Sequence, residues 1–489
     1  MICKKMEKRF DVAVVGGGAV GCAIARELCR YEQSVVLLEK ESDVARGTSG
    51  RNSGVVHAGF NNPPGSLAAR LCVEGCAGFA TVCRELGVPY SSTGKLVVAL
   101  EPEDAPALER LLAQGRQGGV PELELWTPRQ TRAREPGIAS CGALWSGSTG
   151  ITNPILYTVA LAENAQANGA EIILDFAVDA VDRAGDGFIL RAGERALGAD
   201  FVVNAAGLYA DRVAALAGDE NYRIYPCRGE YLVLDKQAAA LLRTPVYPVP
   251  RPGVGGLGVH LTPTVDGNIL IGPSAEYIDS RADTGTTAAV IERLWEEALR
   301  LLPALAQSRV VTAYAGLRSK TVPAGAQNFG DFIVEHSRAT PNLINLAGIE
   351  SPGLTASLPL ARLVCRLLSE KKPLKLKADF RPERQRGEEF RSSPPERRRA
   401  MAAADPAARE IVCRCETVTR REILTALDNP LGVRSLTGIK VRSRAMTGRC
   451  QGGYCQQRLA ATLRDEYGVR PEDIRLDGRE AWVFTGEVK

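Results

Sequence analysis

Two hydrophobic periods share this chain. FDVAVV at 10–15 and SVVLLE at 34–39 are short, nearly continuous apolar runs, the pattern of strands buried on both faces of a parallel sheet. Between them, AVGCAIARELCRY at 19–31 places its apolar positions at helical spacing. Strand, turn, helix, strand is a right-handed βαβ unit. EIILDFAV, FVVNAAG, EYLVLD and NILIGP read as later strands. Mixed strand types with scattered helices predict an α/β nucleotide domain joined to a second, sheet-based domain. Over 371–410 the periodicity fades, and charge, proline and small residues dominate. That stretch reads as a linker or a loosely packed connecting arm with a solvated basic surface. A compact module bearing spaced cysteines follows it.

The turn after the first strand is GGGAVG, with Gly16, Gly18 and Gly21 in the G-x-G-x-x-G positions. Gly16 permits the tight turn, Gly18 lets backbone approach a pyrophosphate, and Gly21 allows close helix–strand packing. The helix that follows offers unpaired N–H groups and a positive dipole to phosphates. Glu39 ends the second strand, placed to accept hydrogen bonds from ribose hydroxyls. The same pattern recurs at Gly253, Gly255 and Gly258, but prolines precede it and strand-like LTPTVDGNILIG follows instead of a helix. It is rejected as a second dinucleotide site, which leaves no visible NAD(P)H site.

A length of 489 residues predicts two or three domains. The 45% hydrophobic and 24% charged fractions are those of an ordinary soluble protein, and a net charge of +4 does not point to a nucleic-acid binder. MICKKMEKRF has no apolar h-region and no run approaches the length of a transmembrane helix, so the expected location is cytoplasmic. Thirteen cysteines in that setting are reduced thiols or cofactor ligands. Four are closely spaced: Cys413 and Cys415 as C-x-C, Cys450 and Cys455 as C-x₄-C. Four thiolates hold zinc or an iron–sulfur cluster. The tight C-x-C arm is untypical of zinc, which nevertheless stays open. Thr419 and Glu422 fit a capping box for the helix after the first pair, and GGY at 452–454 lets backbone amides turn toward sulfur. Arg414, Arg442, Arg444 and Arg449 would offset the negative charge of such a centre.

After Glu39 the chain runs GTSGRNSGVVHAGFNNPPGSLAARLCVEG, and farther on come CRGEYLVLD, VYPVPRPGVGGLGVHLTPTVDGNILIGP and GIESPGLTASLPLA. These stretches resemble the FAD-dependent L-2-hydroxyglutarate oxidases and dehydrogenases of the D-amino-acid-oxidase-like superfamily. With a cysteine module appended, the chain also resembles the catalytic subunit of anaerobic glycerol-3-phosphate dehydrogenase. CRCETVT and GRCQGGYC resemble the bacterioferritin-associated-ferredoxin-like domain, which holds a 2Fe-2S cluster on four cysteines.

The resemblance implies an α/β fold. It comprises a Rossmann-type FAD-binding domain, an interleaved mixed-sheet substrate domain and a small, mainly helical C-terminal iron–sulfur module. The FAD-binding parts are expected at about 8–90, 150–222 and 330–371, within an oxidoreductase region 1–371. Substrate-domain parts are expected at about 91–149 and 223–329, a linker at 372–408 and the 2Fe-2S domain at 409–489. FAD would be wrapped by Thr48, Ser49, Arg51, Asn52 and Ser53, and by a helix start at Gly348, Pro352, Gly353, Leu354 and Thr355, with Gly207 close by. The cluster ligands would be Cys413, Cys415, Cys450 and Cys455.

Oxidising an alcohol on flavin needs a base for the hydroxyl proton and a cation for the substrate's acid group. The chain has three histidines. His57 and His260 are the base candidates and His336 reads as a surface turn residue. Arg318 and Lys320, in AGLRSK, are the cationic candidates, with Arg228 and Tyr231 behind them. The implied substrate is a small anion, either a 2-hydroxy acid such as L-2-hydroxyglutarate or glycerol 3-phosphate. Electrons would leave singly through the cluster to an electron-accepting subunit or carrier protein. Such a partner leaves peripheral membrane association open. The competing readings are an amino- or imino-acid (opine-type) dehydrogenase subunit and a non-catalytic redox-sensing subunit.

Overall fold

The computed structural model describes residues 8–250, 258–326 and 330–484. Its first sheet is built on the strand Arg9–Val15, which lies parallel between Val35–Leu38 and Arg195–Asn204. Glu171–Ile173 and Leu343–Ala347 extend it in parallel on either side. The central strands are apolar on both faces because helices Ala19–Leu28, Pro154–Ala167 and Ser357–Ser369 pack over one face, and a smaller core with Phe176, Phe188 and Val213 covers the other.

The second sheet is mixed and has nine strands among the described residues. Tyr225–Leu234 pairs antiparallel with Val310–Lys320 along nearly its whole length. His260–Pro263, Val246–Pro248 and Lys95–Ala99 follow farther across. Alternation sorts its side chains. Leu96, Val246, Leu261, Ile271 and Leu232 face the amphipathic helix Ala288–Leu301 and form a closed apolar core. Their neighbours Lys95, Tyr247, His260 and Tyr231 therefore face the other way, toward the first sheet.

GLRSK lies within the strand Val310–Lys320, although its run of polar and charged residues carries little strand signal. The GIESPG segment is a turn, and the helix after it starts at Ser357 rather than at Pro352. The arm at 371–410 is fastened along its length, which the reading of a loosely packed linker did not anticipate. Lys375 O and Lys377 N bond to the turn after the first helix, Phe380 lies under the Arg30 guanidinium at 4.3 Å, and Arg384 pairs with buried Glu163 at 2.6 Å. Such partners are far away in sequence, so local composition carries no trace of them.

The last module has the short strands Ile411–Cys413 and Val418–Thr419 and the helices Arg420–Leu427, Leu436–Ser443 and Gln456–Tyr467. They close over Val412, Ile423, Leu436, Ile439, Leu459 and Leu463. Thr419 and Glu422 form the reciprocal capping box expected of them. No helix among the described residues is long and apolar enough to cross a membrane.

Candidate active site

Between the two sheets runs a cleft of about 710 Å³. At one end the chain turns from the first strand into the first helix. A Cβ on Gly16 would stand 2.5 Å from Ala205 O, and one on Gly21 would stand 1.9 Å from Gly16 O, so both positions admit only glycine. Gly18 faces the cleft and has only Ser49 Oγ near its missing Cβ. Glu39 is buried, accepts from Gly17 N at 2.5 Å and Glu41 N at 2.9 Å, and has its carboxyl pushed upward by burial. Glycine backbone, a helix N-terminus and a buried carboxylate at the strand end fit the adenosine and pyrophosphate of a dinucleotide.

The 48–57 stretch crosses the cleft. Thr48 Oγ1 donates to Leu317 O at 2.6 Å, and Ser49 Oγ accepts from Ala19 N at 2.9 Å. Asn52 ties the turn to itself, and Tyr314 donates to Asn52 O at 3.1 Å. Arg51 and Ser53 line the cleft, as do Gly207, Gly353 and Leu354. Gly348 and Thr355 stand behind the wall. Thr355 is buried and takes the backbone N–H of His57 at 2.9 Å, which makes it a support for His57.

At the other end the substrate sheet supplies the chemistry. Tyr247 stacks on His260 with ring centroids 3.8 Å apart and meets His57 edge-on at 6.4 Å. His260 Nδ1 lies 3.0 Å from Gly258 O. The rest of the second glycine pattern, Gly253 and Gly255, lies outside the described residues. Burial holds His57 well below the ordinary imidazole range and brings His260 down to about 3. The nearby Lys95 ammonium pushes both the same way. Both rings are therefore neutral near neutral pH.

Arg318 reaches into the cleft with Nη2 on Ser274 O at 3.0 Å and Nη1 on Cys227 Sγ at 3.6 Å. Gly229 makes room for it, since a Cβ there would lie 2.8 Å from the guanidinium. Lys320 lines the same wall, but Glu350 holds its ammonium at 2.7 Å. Tyr231 faces the cleft and stacks on Tyr314. Arg228, on the opposite face of that strand, is spent on Glu230, Glu276 and Asp283. His336 belongs to the strand Ile333–His336, not to a surface turn, and both its ring nitrogens lie near carbonyls of Pro341 and Leu367.

Sequence reasoning missed Lys95. It is fully buried, with Nζ 4.3 Å from the centroid of Phe60 and 4.5 Å from that of Tyr247. Nothing in STGKLVVAL marks it except a charge on the inward parity of a strand. Arg46 and Asp477 were missed as well. They pair at the adenosine end of the cleft, where the C-terminal module contributes Asp477 and Gly478 to the wall.

The four spaced cysteines stand as two pairs. Cys415 Sγ is 3.5 Å from Cys450 Sγ, and Cys413 hydrogen-bonds to Cys455. Among the described residues no three His, Cys, Asp or Glu side chains form one metal-holding group. Backbone amides converge on the sulfurs: Met446 and Glu416 on Cys413, Gly452 and Tyr454 on Cys450. With the Cys455 thiol bonded to it, Cys413 is drawn down to about 6. Thiol pairs surrounded by N–H donors suit a two-iron cluster. Of the four arginines named from sequence, Arg414 stays at the cysteines, over the Tyr454 ring at 4.3 Å. Arg442, Arg444 and Arg449 turn instead to Asp43, Asp266 and Asp235. Their spacing gave no sign that they face other domains.

The comparisons with known proteins agree with this geometry. Residues 11–367 match the FAD dependent oxidoreductase (DAO) family and residues 411–465 match the BFD-like [2Fe-2S] binding domain. A glycerol 3-phosphate dehydrogenase of Caloramator mitchellensis is 36% identical over 98% of this chain and 99% of its own length. A mitochondrial L-2-hydroxyglutarate dehydrogenase of Caenorhabditis elegans is 33% identical over 73% of this chain and 92% of its own length. Among solved structures, the L-alpha-glycerophosphate oxidase of Mycoplasma pneumoniae with FAD bound superposes with a TM-score of 0.72 at 29% identity, covering 78% of this chain and 99% of that one. The chain belongs to the FAD-dependent oxidoreductase (DAO) family, as a dehydrogenase of the glycerol-3-phosphate and L-2-hydroxyglutarate type that carries FAD and a C-terminal [2Fe-2S] domain.

Proposed function

We propose that this enzyme oxidises the alcohol carbon of a small anion, glycerol 3-phosphate first and L-2-hydroxyglutarate as the related alternative, and passes the electrons to a partner subunit or carrier protein. The observation that carries the reading is Arg318. Its guanidinium faces the cleft beside His260 and Tyr231, bonded to a carbonyl and a thiol and to no carboxylate among the described residues. Arginine in that state grips a phosphate or carboxylate through parallel hydrogen bonds. Lys320 and Arg281 line the cleft too, but their charges are engaged by Glu350 and Asp211.

His57 and His260, neutral through burial, present a lone pair to the substrate hydroxyl. A bound anion favours the imidazolium, so substrate binding itself prepares the ring to take the hydroxyl proton. FAD, when bound, takes the hydride, and the [2Fe-2S] cluster supplies one-electron transfer. Gly16, Gly18, Glu39, the 48–53 stretch and the Gly353–Leu354 turn would hold FAD. Cys413, Cys415, Cys450 and Cys455 would hold the cluster. The likeness to a glycerol 3-phosphate dehydrogenase spans the cysteine module as well, which supports the phosphate ester over the hydroxy acid.

The test is anaerobic bleaching of bound flavin by glycerol 3-phosphate, L-2-hydroxyglutarate, and a panel of amino and imino acids. Bleaching by glycerol 3-phosphate at the lowest concentration is expected. Bleaching by amines alone would replace this reading with the opine-type one.

A further inference from the structure

Glu416 directly follows the C-x-C pair and its side chain is 2% exposed. One of its oxygens, Oε2, receives three cations: Lys236 Nζ at 2.6 Å, Arg391 Nη1 at 2.8 Å and Arg444 Nε at 3.1 Å. They come from three parts of the chain. Lys236 follows the long strand of the substrate sheet, Arg391 belongs to the arm, and Arg444 to the cysteine module. The contact continues inward. Arg444 Nη1 reaches Asp266 Oδ2 at 2.5 Å, and Asn153 Nδ2 donates to that same oxygen at 3.1 Å. Asn153 caps the helix Pro154–Ala167, its neighbour Thr152 bonds through N–H to Gly54 O at 2.8 Å, and Gly54 N bonds to Asn52 Oδ1 at 2.9 Å. An unbroken run of bonded groups thus joins the cleft-crossing stretch to Glu416, whose own N–H points at the Cys413 sulfur.

A buried carboxylate needs compensating charge, and removing one member of such a group leaves the rest uncompensated. Here Glu416 and Asp266 face three cations, so the node is already positive beside the cysteines. On the opposite side of Glu416, a Cβ on Gly448 would stand 3.3 Å from Oε1, so the carboxylate is enclosed there.

We propose that Glu416 is a positioning residue for electron exit: it fixes the cysteine module against the flavin and substrate domains and sets the field at the cysteine site. The inference rests on the reading above that electrons leave through the cluster. Removing its negative charge raises the cluster's reduction potential, because the reduced cluster carries more negative charge. Loosening the dock at the same time lengthens the path from the cleft.

The experiment uses full-length holoenzyme with Glu416→Gln and, separately, Lys236→Met. Flavin bleaching by substrate is expected at the wild-type rate in both. In Glu416→Gln the cluster's midpoint, followed by its paramagnetic signal during a redox titration, rises. Electron transfer from reduced flavin to cluster slows by about 10- to 100-fold despite the larger driving force. In Lys236→Met the midpoint falls. A residue that only supports the fold would lower thermal stability in both variants without this opposite pair of potential shifts. Unchanged midpoints in both, with iron content intact, overturn the proposal, and faster transfer in Glu416→Gln overturns the positioning role. If Glu416→Gln does not fold, Lys236→Met alone decides by the sign of its shift. Wild-type protein without iron or a paramagnetic signal after reduction overturns the underlying reading itself, before any variant is made.

Discussion

Lys95 carries an ammonium into full burial, where Nζ meets two aromatic faces and no hydrogen-bond acceptor among the described residues. Burial lowers its pKa to about 7, whereas an unfolded lysine titrates near 10.4. Between those values the unfolded chain binds more protons, so stability rises with pH across that window. Below it the folded protein bears the full cost of the buried charge. Lys95→Met should therefore raise the thermal midpoint most at about pH 6, by the equivalent of a few kcal/mol at most, with the gain shrinking toward about pH 10. A gain that is flat with pH would mean that Lys95 stays protonated in the folded state across that window, with its pKa unshifted by burial. Arg318 gives the companion prediction. Arg318→Ala should weaken the anionic substrate by about 2–5 kcal/mol if the pair is desolvated, seen as a shift in the concentration dependence of flavin bleaching. Flavin content should stay as it is, because the hydrogen bonds of the Arg318 side chain among the described residues go to Ser274, Cys227 and Tyr231 of the substrate domain.

At the scale of the element, the strand Val310–Lys320 both builds the cleft wall and receives the cleft-crossing turn. Gly316, Arg318 and Lys320 share one face by alternation. A Cβ on Gly316 would stand 2.2 Å from Arg51 O and 2.9 Å from Arg51 Cβ, so strand and turn cannot both keep their places around a larger residue. Gly316→Ala should lower FAD retention, measured as flavin per chain after gel filtration, while iron per chain is kept. Equal flavin content would show that the turn can yield. The same strand explains what sequence could and could not disclose. The glycine turn at 16–21 and the Thr419–Glu422 capping box were legible because each is local, its residues within a turn or two of one another, and the βαβ unit because its three elements follow one another directly along the chain. GLRSK hides its period of two because neither of its faces is exposed: charged Arg318 and Lys320 point to the cleft, while Leu317 and Ser319 are packed on the other side. Tyr231 and Arg228 came from the same motif, and only the side of the sheet they occupy tells the cleft residue from the one paired with Glu276 and Asp283. Lys95 was illegible for the opposite reason: a buried charge looks like a surface charge until its neighbours are known.

At the scale of the whole molecule, the cysteine module is a wall of the enzyme rather than a pendant. Arg442 sends its guanidinium into the flavin domain, 2.6 Å from Asp43 and 3.4 Å from Glu163, with all three side chains under a tenth exposed. Ser42 Oγ donates to Asp477 O at 3.1 Å, Asp477 pairs with Arg46, and Gly478 joins the cleft lining. These contacts bear on truncation. If the modules were independent, a chain ending at residue 408 would keep its flavin and its reduction by substrate, losing only electron exit. The structure predicts otherwise. Truncation leaves Asp43 without Arg442 and Glu163 with one of its two guanidiniums, and a buried charge stripped of its partner costs about 3–5 kcal/mol. It also opens the adenosine end of the cleft. The truncated chain should therefore unfold at lower temperature and release FAD on dilution, and adding Asp43→Asn should restore part of the stability but little of the FAD retention, since the Asp477 and Gly478 wall stays missing. Full-length Arg442→Met, which keeps that wall, should show the converse: lower stability with FAD held. The two readouts, thermal midpoint and flavin remaining after dilution, separate the electrostatic dock from the closure of the cleft. A truncated chain that matches the full protein in both would make the module a pendant after all.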